Sequence, residues 1–169
     1  IKTSALSYLG DNSFNSQPML RGRILQINGQ SVQSLKVNKE VEWVLRRDRA
    51  FSWSNEMPKN TKLMSGKWWP KDYDGPLLVS IGDKIATGMN LKIGDKIKFN
   101  ILGRNFEAQI FNTREIIWEN MDINFVFILS NSNIANAPHS WIATTKNVGQ
   151  NINNNFVEKN ITKFTNVEY

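Results

Sequence analysis

The segment LKIGDKIKFNILGRNFEAQIFNTREI, residues 91–116, alternates apolar and polar side chains on both sides of a short interruption. The apolar residues of its two halves fall at every second position: Ile97, Phe99 and Ile101, then Phe106, Ala108 and Ile110. Such side chains share one face of a β-sheet, because successive residues of a strand point to opposite faces. Leu102, Gly103 and Arg104 form the interruption and predict a turn. The segment therefore predicts a β-hairpin with one buried face.

Towards the N-terminus a second strand pattern is followed by a helix pattern. Residues 18–32 alternate apolar and polar side chains around Asn28-Gly29, a dipeptide typical of two-residue hairpin turns. Residues 38–49 have apolar side chains at helical spacing, with Asn38 as the predicted N-cap and arginines in the last turn. Residues 50–54 then predict another strand.

Shorter patterns complete the chain on either side of the hairpin. Residues 62–70 predict a strand that runs into a loop, and further strands are predicted at residues 74–80, 125–130, 140–146 and 165–169. Two further helices are predicted, one at residues 81–89 with Ser80 as its N-cap and one at residues 148–164. The strand–helix–strand order near the C-terminus is typical of a βαβ unit.

This order of elements predicts an α+β fold in two parts. Mixed helix and strand occupy both chain ends, and the middle of the chain is almost entirely strand. We expect residues 1–57 and 130–169 to form one α+β part, and residues 58–129 to form a β-rich insertion within it. A chain of 169 residues is long enough to bury a substantial core.

Composition limits the chemistry and the location of the chain. There is no cysteine, which excludes disulfides, thiolate zinc sites and cysteine nucleophiles. The net charge of +6 is compatible with nucleic acid or an anionic membrane surface as a partner. No apolar run reaches the ~18 residues of a membrane helix. Because the sequence begins at Ile1 and ends at Tyr169 inside a predicted strand, we expect a piece of a longer protein that also has membrane segments.

No catalytic or metal-binding group is predicted. His139 is the single histidine, and it has no neighbouring nucleophile or acid, so it reads as a surface loop residue. Asp72 and Asp74 lack the further oxygen ligands of a calcium loop. The glycine spacing fits neither a phosphate-binding loop nor a dinucleotide fingerprint. We therefore expect a protein that is not an enzyme and that holds no metal or cofactor.

Two groups of residues are candidates for binding. The first is basic and comprises Arg21, Arg23, Arg46, Arg47 and Arg49. With nearby aromatic residues it could bind nucleic acid, but arginines are also favoured at a helix C-terminus, where a solvated or ion-paired face is the simpler explanation. The second group is GKWWPKDYDGP, residues 66–76, with Trp68, Trp69 and Tyr73.

The tryptophan pair raises the question of a stacking surface for a sugar or a base. Neighbouring residues of a strand point to opposite faces. We therefore expect Trp68 and Trp69 to face opposite ways, with one ring buried and the other beside a groove or a subdomain junction.

Several segments, in this order and spacing, resemble a known family. They are PMLRGRILQINGQSV (18–32), EWVLRRDRAFSW (42–53), SGKWWPKDYDGPLLVS (65–80), the hairpin segment (91–116) and NFVFILS (124–130). Together they resemble the first large periplasmic domain of bacterial FtsX/MacB-type ABC transporter permeases, and within these the YbbP-like branch. The tryptophan and arginine segments are the most specific, whereas the hairpin is shared more loosely with MacB-like domains.

The resemblance implies a periplasmic domain between the first two transmembrane helices of an inner-membrane permease. It implies a MacB-like periplasmic core, with a porter-like βαβ part formed by both chain ends and a sabre-like β-rich insertion. The implied partner is a cytoplasmic ATPase subunit, which binds ATP in place of this chain. The implied role is mechanotransmission, in which ATP-driven motion acts on a periplasmic partner, such as a lysophospholipase L1-type esterase, or on lipid-like cargo. The alternative is a stand-alone module that binds nucleic acid or glycan.

Overall fold

A computed structural model describes residues 14–58, 61–117 and 123–145. The strands are β1 (Phe14–Ile27), β2 (Gln30–Ser31), β3 (Arg49–Trp53), β4 (Leu63–Gly66), β5 (Leu78–Gly82), β6 (Lys96–Ile101), β7 (Arg104–Arg114), β8 (Phe127–Leu129) and β9 (Ser140–Thr145). The α-helices are α1 (Trp43–Arg46) and α2 (Asp83–Gly88), and short 3-10 helices span Val32–Ser34 and Ser132–Asn136. The described chain is therefore dominated by strands.

Six of these strands close into a barrel-like ring. Following the hydrogen-bonded neighbours, the order is β1–β3–β8–β5–β7–β6 and back to β1. The pairs β3–β8 and β5–β7 are parallel, and the other pairs in the ring are antiparallel. The short strands β2 and β4 extend the sheet from β1 and β7. Closure protects most of the backbone hydrogen-bonding groups that would otherwise form open sheet edges.

Aromatic and aliphatic side chains fill the inside of the ring. At its centre, the Phe51 ring meets the Phe99 ring edge-on at 4.9 Å and stacks on the Phe127 ring at 5.2 Å. All three side chains are fully buried. They come from β3, β6 and β8, so this cluster joins strands that are far apart in the sequence. The predicted hairpin is confirmed: β6 and β7 pair directly, with Ile97, Phe99 and Ile101 buried.

Both predicted hairpin turns are also confirmed. Asn28 and Gly29 have φ of 49° and 79°, and Leu102 and Gly103 have φ of 48° and 82°. Two successive positive φ angles are typical of the tight turn whose twist matches that of the strands. The Asn28 side chain also accepts a hydrogen bond of 2.9 Å from the backbone N–H of Lys96. The first turn is thereby attached to the start of β6.

Two helix predictions need correction. The helix predicted at residues 38–49 is confined to α1, Trp43–Arg46, and its N-cap is Glu42. Asn38 instead accepts a hydrogen bond from the Glu40 N–H in the preceding turn. Ser80 is a fully buried residue of β5, and the following helix, α2, has Gly82 as its N-cap. Here the strand continues further than the cap signal indicated, because Ser80 and Ile81 complete the pairing with β7 and β8.

The two predicted parts share strands and a core where they are described. β1 and β3, from residues 1–57, pair with β6 and β8, from residues 58–129. Buried residues of both segments also belong to a single hydrophobic cluster. The predicted helix at 148–164 and the strand at 165–169 lie outside the described residues. The α+β, porter-like and sabre-like description of the whole chain therefore stays a prediction.

The first half of β1 leaves the ring and pairs with β9. This antiparallel ribbon runs from Phe14 opposite Thr145 to Met19 opposite Ser140. The described chain thus enters and leaves the barrel side by side. Within the described ranges, no helix is long and apolar enough to cross a membrane.

Candidate functional site

Three of the five candidate arginines lie around one open cleft of about 750 Å³. We call this the arginine cleft. It lies between the end of β1, the turn after β2 and helix α1, and it is lined by Arg23, Ile24, Leu25, Ser31, Val32, Gln33, Leu35, Val37, Glu42, Leu45, Arg46, Arg47 and Asp48.

The floor of the arginine cleft is aliphatic. Val32, Leu35, Val37 and Leu45 are half-buried and pack against the main hydrophobic core. Leu25, from β1, is also half-buried. Because these side chains keep part of their surface in solvent, an apolar group that covered them would gain hydrophobic free energy.

The rim of the cleft is charged. Arg23 Nε lies 3.0 Å from Asp48 Oδ1, and Arg46 Nη2 lies 2.7 Å from Glu42 Oε2. All four side chains are largely exposed, with between 43% and 67% of their surface accessible. Arg47 is exposed and forms no ion pair within the described part of the chain. The rim therefore has three guanidinium groups and two carboxylates, which leaves one net positive charge.

The other two candidate arginines do not line the cleft. Arg49 is half-buried, donates a hydrogen bond to the Trp43 carbonyl oxygen, and places its guanidinium 4.8 Å from the centre of the Trp43 ring. Burial lowers the pKa of Arg49, and the nearby charge of Arg47 lowers it further. Arg21 is exposed on β1, two residues before Arg23.

The tryptophan pair lies in a loop that covers the outer wall of the barrel. Trp69 is buried, at 3% exposure, and Trp68 is half-buried, as the prediction of one buried ring required. The prediction that they face opposite ways is wrong: their ring centroids are 4.2 Å apart and their planes are inclined by 32°. Residues 67–70 are not in a strand, so the alternation of strand side chains does not apply to them.

Hydrogen bonds hold both indole rings in place. The Trp69 N–H donates to the Ser54 carbonyl oxygen at 2.9 Å, and the Trp68 N–H donates to the Asn55 carbonyl oxygen at 3.3 Å. Trp69 packs with buried side chains of β5, β8 and the residues before β8: Leu78, Ile128 and Phe125. The loop therefore seals this wall of the barrel, and its rings are already engaged within the chain.

Tyr73 closes the same loop. Its hydroxyl donates to the Pro76 carbonyl oxygen at 2.7 Å, and its backbone N–H donates to the Pro70 carbonyl oxygen at 3.1 Å. A Cβ atom at Gly75 would lie within 3 Å of the outer atoms of the Tyr73 side chain, so Gly75 allows the close approach of this ring. Tyr73 is thus a structural residue of the loop.

The remaining polar candidates behave as surface groups. His139 is exposed, as predicted, and its ring meets the Trp53 ring edge-on at 4.6 Å. Its Nδ1 atom lies 2.8 Å from the Ala137 carbonyl oxygen. Asp72 and Asp74 are exposed. Throughout residues 14–58, 61–117 and 123–145, no three acidic or histidine side chains gather as metal ligands would.

Arg114 is a distinctive residue that the sequence analysis missed. It is 4% exposed at the end of β7, and its guanidinium donates to the carbonyl oxygens of Phe125 and Val126. Its Nε atom has no hydrogen-bond partner, and burial lowers its pKa to about 10. Simple alternation does not identify it, because the register of β7 against β5 shifts between Ile110 and Asn112, so Arg114 does not continue the inward series of Ala108 and Ile110.

Comparison with known proteins gives a relative among transporters. No family model matches the chain. Over 127 residues, or 75% of the chain, it is 26% identical to the uncharacterized ABC transporter permease YbbP of Escherichia coli K12. The chain resembles a domain of an ABC transporter permease. The matched region spans only 15% of the length of YbbP, so the similarity concerns one domain of a much larger membrane transporter.

Proposed function

We propose that this chain is the periplasmic domain of an ABC transporter permease and transmits ATP-driven motion to a periplasmic partner or to lipid-like cargo. The observation that carries the proposal is the similarity of three quarters of the chain to YbbP. An ABC permease works with an ATPase, so the ATPase subunit and its ATP lie outside this chain. The part of this chain is then mechanical and not enzymatic.

The ribbon of β1 and β9 supports this proposal physically. Both strands lead away from the barrel in register, from Met19 opposite Ser140 to Phe14 opposite Thr145. A domain inserted between two membrane helices needs its two connections close together. A paired ribbon also moves as one piece, because backbone hydrogen bonds couple its strands.

The barrel is suited to carry such a motion as a rigid body. Its strands form a closed hydrogen-bonded ring around the buried Phe51, Phe99 and Phe127 side chains. Close-packed interiors have low compressibility and transmit strain. A displacement of the ribbon is therefore expected to move the arginine cleft and the loop that carries Trp68 and Trp69 together.

The stand-alone nucleic-acid or glycan module has less support. The arginine cleft carries only one net positive charge, which offers few contacts to a polyanion, and Arg49 is engaged with Trp43. Trp69 presents only 3% of its surface to a ligand. A gel-shift titration with single-stranded DNA at low salt is expected to show no complex, whereas a salt-dependent shift would favour the module instead.

The location in the periplasm is tested by labelling a single cysteine. In the full-length protein that contains this chain, with any cysteines elsewhere replaced, Lys84→Cys places a thiol on the exposed side of α2. We expect a membrane-impermeant maleimide to label it in spheroplasts with an intact membrane. Ala86→Cys, two residues away and 2% exposed, is the matched control that should not react in the folded protein.

Labelling of Lys84→Cys only after the membrane is permeabilised would place the domain in the cytoplasm and overturn the proposal. Labelling of Ala86→Cys at the same rate would show that the domain is not folded in that preparation, and the experiment would then be repeated with Lys84→Cys in a background whose folding is verified by protease resistance.

A further inference from the structure

We propose that the arginine cleft binds a single-chain amphiphile with an anionic head group, the head group lying at Arg47 and the chain lying along the aliphatic floor. This inference deepens the proposed function, on which it rests for its biological meaning, by assigning a class of cargo and a place for it. The binding itself is a property of the chain and is measured without a transporter.

The shape and composition of the cleft define the two halves of such a ligand. Half-buried Val32, Leu35, Val37 and Leu45 line the cleft and pack against the core. Arg23, Arg46 and Arg47 line the same cleft and carry the positive charge. A ligand that fits both needs an apolar chain joined to an anion. A free anion would leave the floor uncovered, and a neutral chain would leave Arg47 without a counter-charge.

Arg47 is the favoured contact for the anion. It has no ion-pair partner within the described residues, and its charge acts unfavourably on the neighbouring Arg49. An anion near Arg47 would give this arginine an ion-pair partner and would offset its unfavourable effect on Arg49. A guanidinium group also offers a fork of N–H donors that matches the oxygens of a phosphate or carboxylate.

The ion pairs on the rim are weak enough for Arg23 and Arg46 to exchange their carboxylate partners for an anionic ligand. The pairs Arg23–Asp48 and Arg46–Glu42 are exposed, and exposed ion pairs contribute little to stability. Arg23 and Arg46 can therefore turn towards a ligand with little loss of stability. The carboxylates of Asp48 and Glu42 then compete with the anionic head group for these arginines. They therefore limit the affinity of the cleft for the ligand.

The test uses this chain and dodecyl phosphate below its micellar concentration, with titration calorimetry and backbone amide NMR. We expect saturable binding, with amide shifts concentrated at residues 23–25, 31–37 and 42–48. Dodecyl maltoside, which has the same chain and a neutral head group, and inorganic phosphate, which has no chain, are expected to bind at least tenfold more weakly.

Two variants locate the site and one matched control excludes a general charge effect. Arg47→Glu should weaken dodecyl phosphate binding by about tenfold, because a charge-assisted contact is lost. Leu35→Asp should weaken it by a similar factor, because the floor of the cleft becomes polar. Arg104→Glu makes the same change of charge at the exposed β6–β7 turn and should leave the affinity within twofold. Arg47 is exposed, so its variant tests the site even where Leu35→Asp fails to fold.

Several results would overturn the inference. Equal affinity for dodecyl maltoside would indicate non-specific apolar binding, and equal affinity for inorganic phosphate would indicate a plain anion site. Equal weakening by Arg104→Glu would indicate a general charge effect. Tighter binding of a short peptide of aspartate and leucine would identify the cleft as a protein-docking surface. These binding results do not depend on whether the cysteine labelling places the domain in the periplasm or in the cytoplasm. The two proposals are therefore tested separately.

Discussion

The indole rings of Trp68 and Trp69 lie 4.2 Å apart between centroids on the outer wall of the barrel, and each donates its N–H to a backbone carbonyl. The two carbonyls belong to Asn55 and Ser54, which directly follow β3. This loop therefore connects the region after β4 to the end of β3 through two hydrogen bonds and two indole rings in contact.

The two tryptophans should differ in their contribution to stability. Trp69→Ala is expected to lower the free energy of unfolding by about 3–5 kcal/mol, because a buried indole ring is removed. Trp68→Ala should cost about 2 kcal/mol, since part of its ring is already in solvent. Urea unfolding followed by circular dichroism measures both. Trp43→Ala, at a site 41% exposed, is the control and should cost about 1 kcal/mol, the value of an exposed cation–π contact. Equal costs for all three would contradict a sealing role.

Gly22 is expected to be required for closing the barrel. It lies in β1 opposite Arg49 of β3 and Ile101 of β6, where three strands meet. A Cβ atom there would lie 2.5 Å from the Asn100 carbonyl oxygen, which is backbone and cannot rotate away. Gly22→Ala should therefore cost about 3 kcal/mol, near the upper end for overpacking.

Gly29→Ala is the matched comparison for Gly22→Ala. Its Cβ would meet nothing within 4 Å, and the only penalty is the positive φ of 79°. That penalty is about 1–2 kcal/mol. If thermal unfolding showed Gly29→Ala to be as costly as Gly22→Ala, steric closure of β1 against β6 would not be the reason for the glycine.

Local features of the fold were predictable because they depend on neighbours in the sequence. The turn at Leu102-Gly103 and the alternation of Ile97 and Phe99 need only a few residues, and the hairpin forms as expected. The same rule gives the wrong orientation for the tryptophan pair, because residues 67–70 leave the strand after Gly66. The rule holds only where the backbone is extended.

Long-range features were not predictable from one sequence. The parallel pairings of β3 with β8 and of β5 with β7 join segments that are distant in the chain, and alternation does not specify partners. The arginine cleft depends on the same closure, because Asp48 meets Arg23 across 25 residues. The candidate arginines could be identified from the sequence. The aliphatic floor beside them could not, and this floor distinguishes an amphiphile site from a charged face.

Arg114 should give the stability of the protein a distinctive pH dependence. Burial disfavours the charged guanidinium and lowers its pKa to about 10 in the folded protein. Below pH 10 both states are protonated, and the folded state bears the full cost of the buried charge. Between the folded and unfolded pKa values, the unfolded state binds more protons, so the contribution of Arg114 to stability rises with pH.

The comparison that isolates this effect is Arg114→Met, which has no titrating group. The free energy of unfolding of the wild type minus that of Arg114→Met should be constant from pH 7 to 9. It should then rise above pH 10, by at most about 1.4 kcal/mol per pH unit. Taking the difference removes the titration of lysines and tyrosines that both proteins share. A flat difference up to pH 11.5 would show that Arg114 remains protonated and is better solvated than its burial indicates.

The proposed amphiphile site predicts that removing the charge of Asp48 strengthens ligand binding. Asp48→Asn removes one of the two carboxylates of the cleft and frees Arg23 from its 3.0 Å ion pair, which raises the net charge of the rim from +1 to +2. Affinity for dodecyl phosphate should increase about three- to tenfold, while the free energy of unfolding changes by less than about 1 kcal/mol. Titration calorimetry and urea unfolding measure the two quantities.

Glu107→Gln removes a carboxylate that pairs with Lys96 away from the cleft, and it should leave the affinity unchanged. If Asp48→Asn bound more weakly than the wild type, Asp48 would be positioning Arg23 for the ligand instead of competing with it, and the exchange of partners at the rim would be refuted.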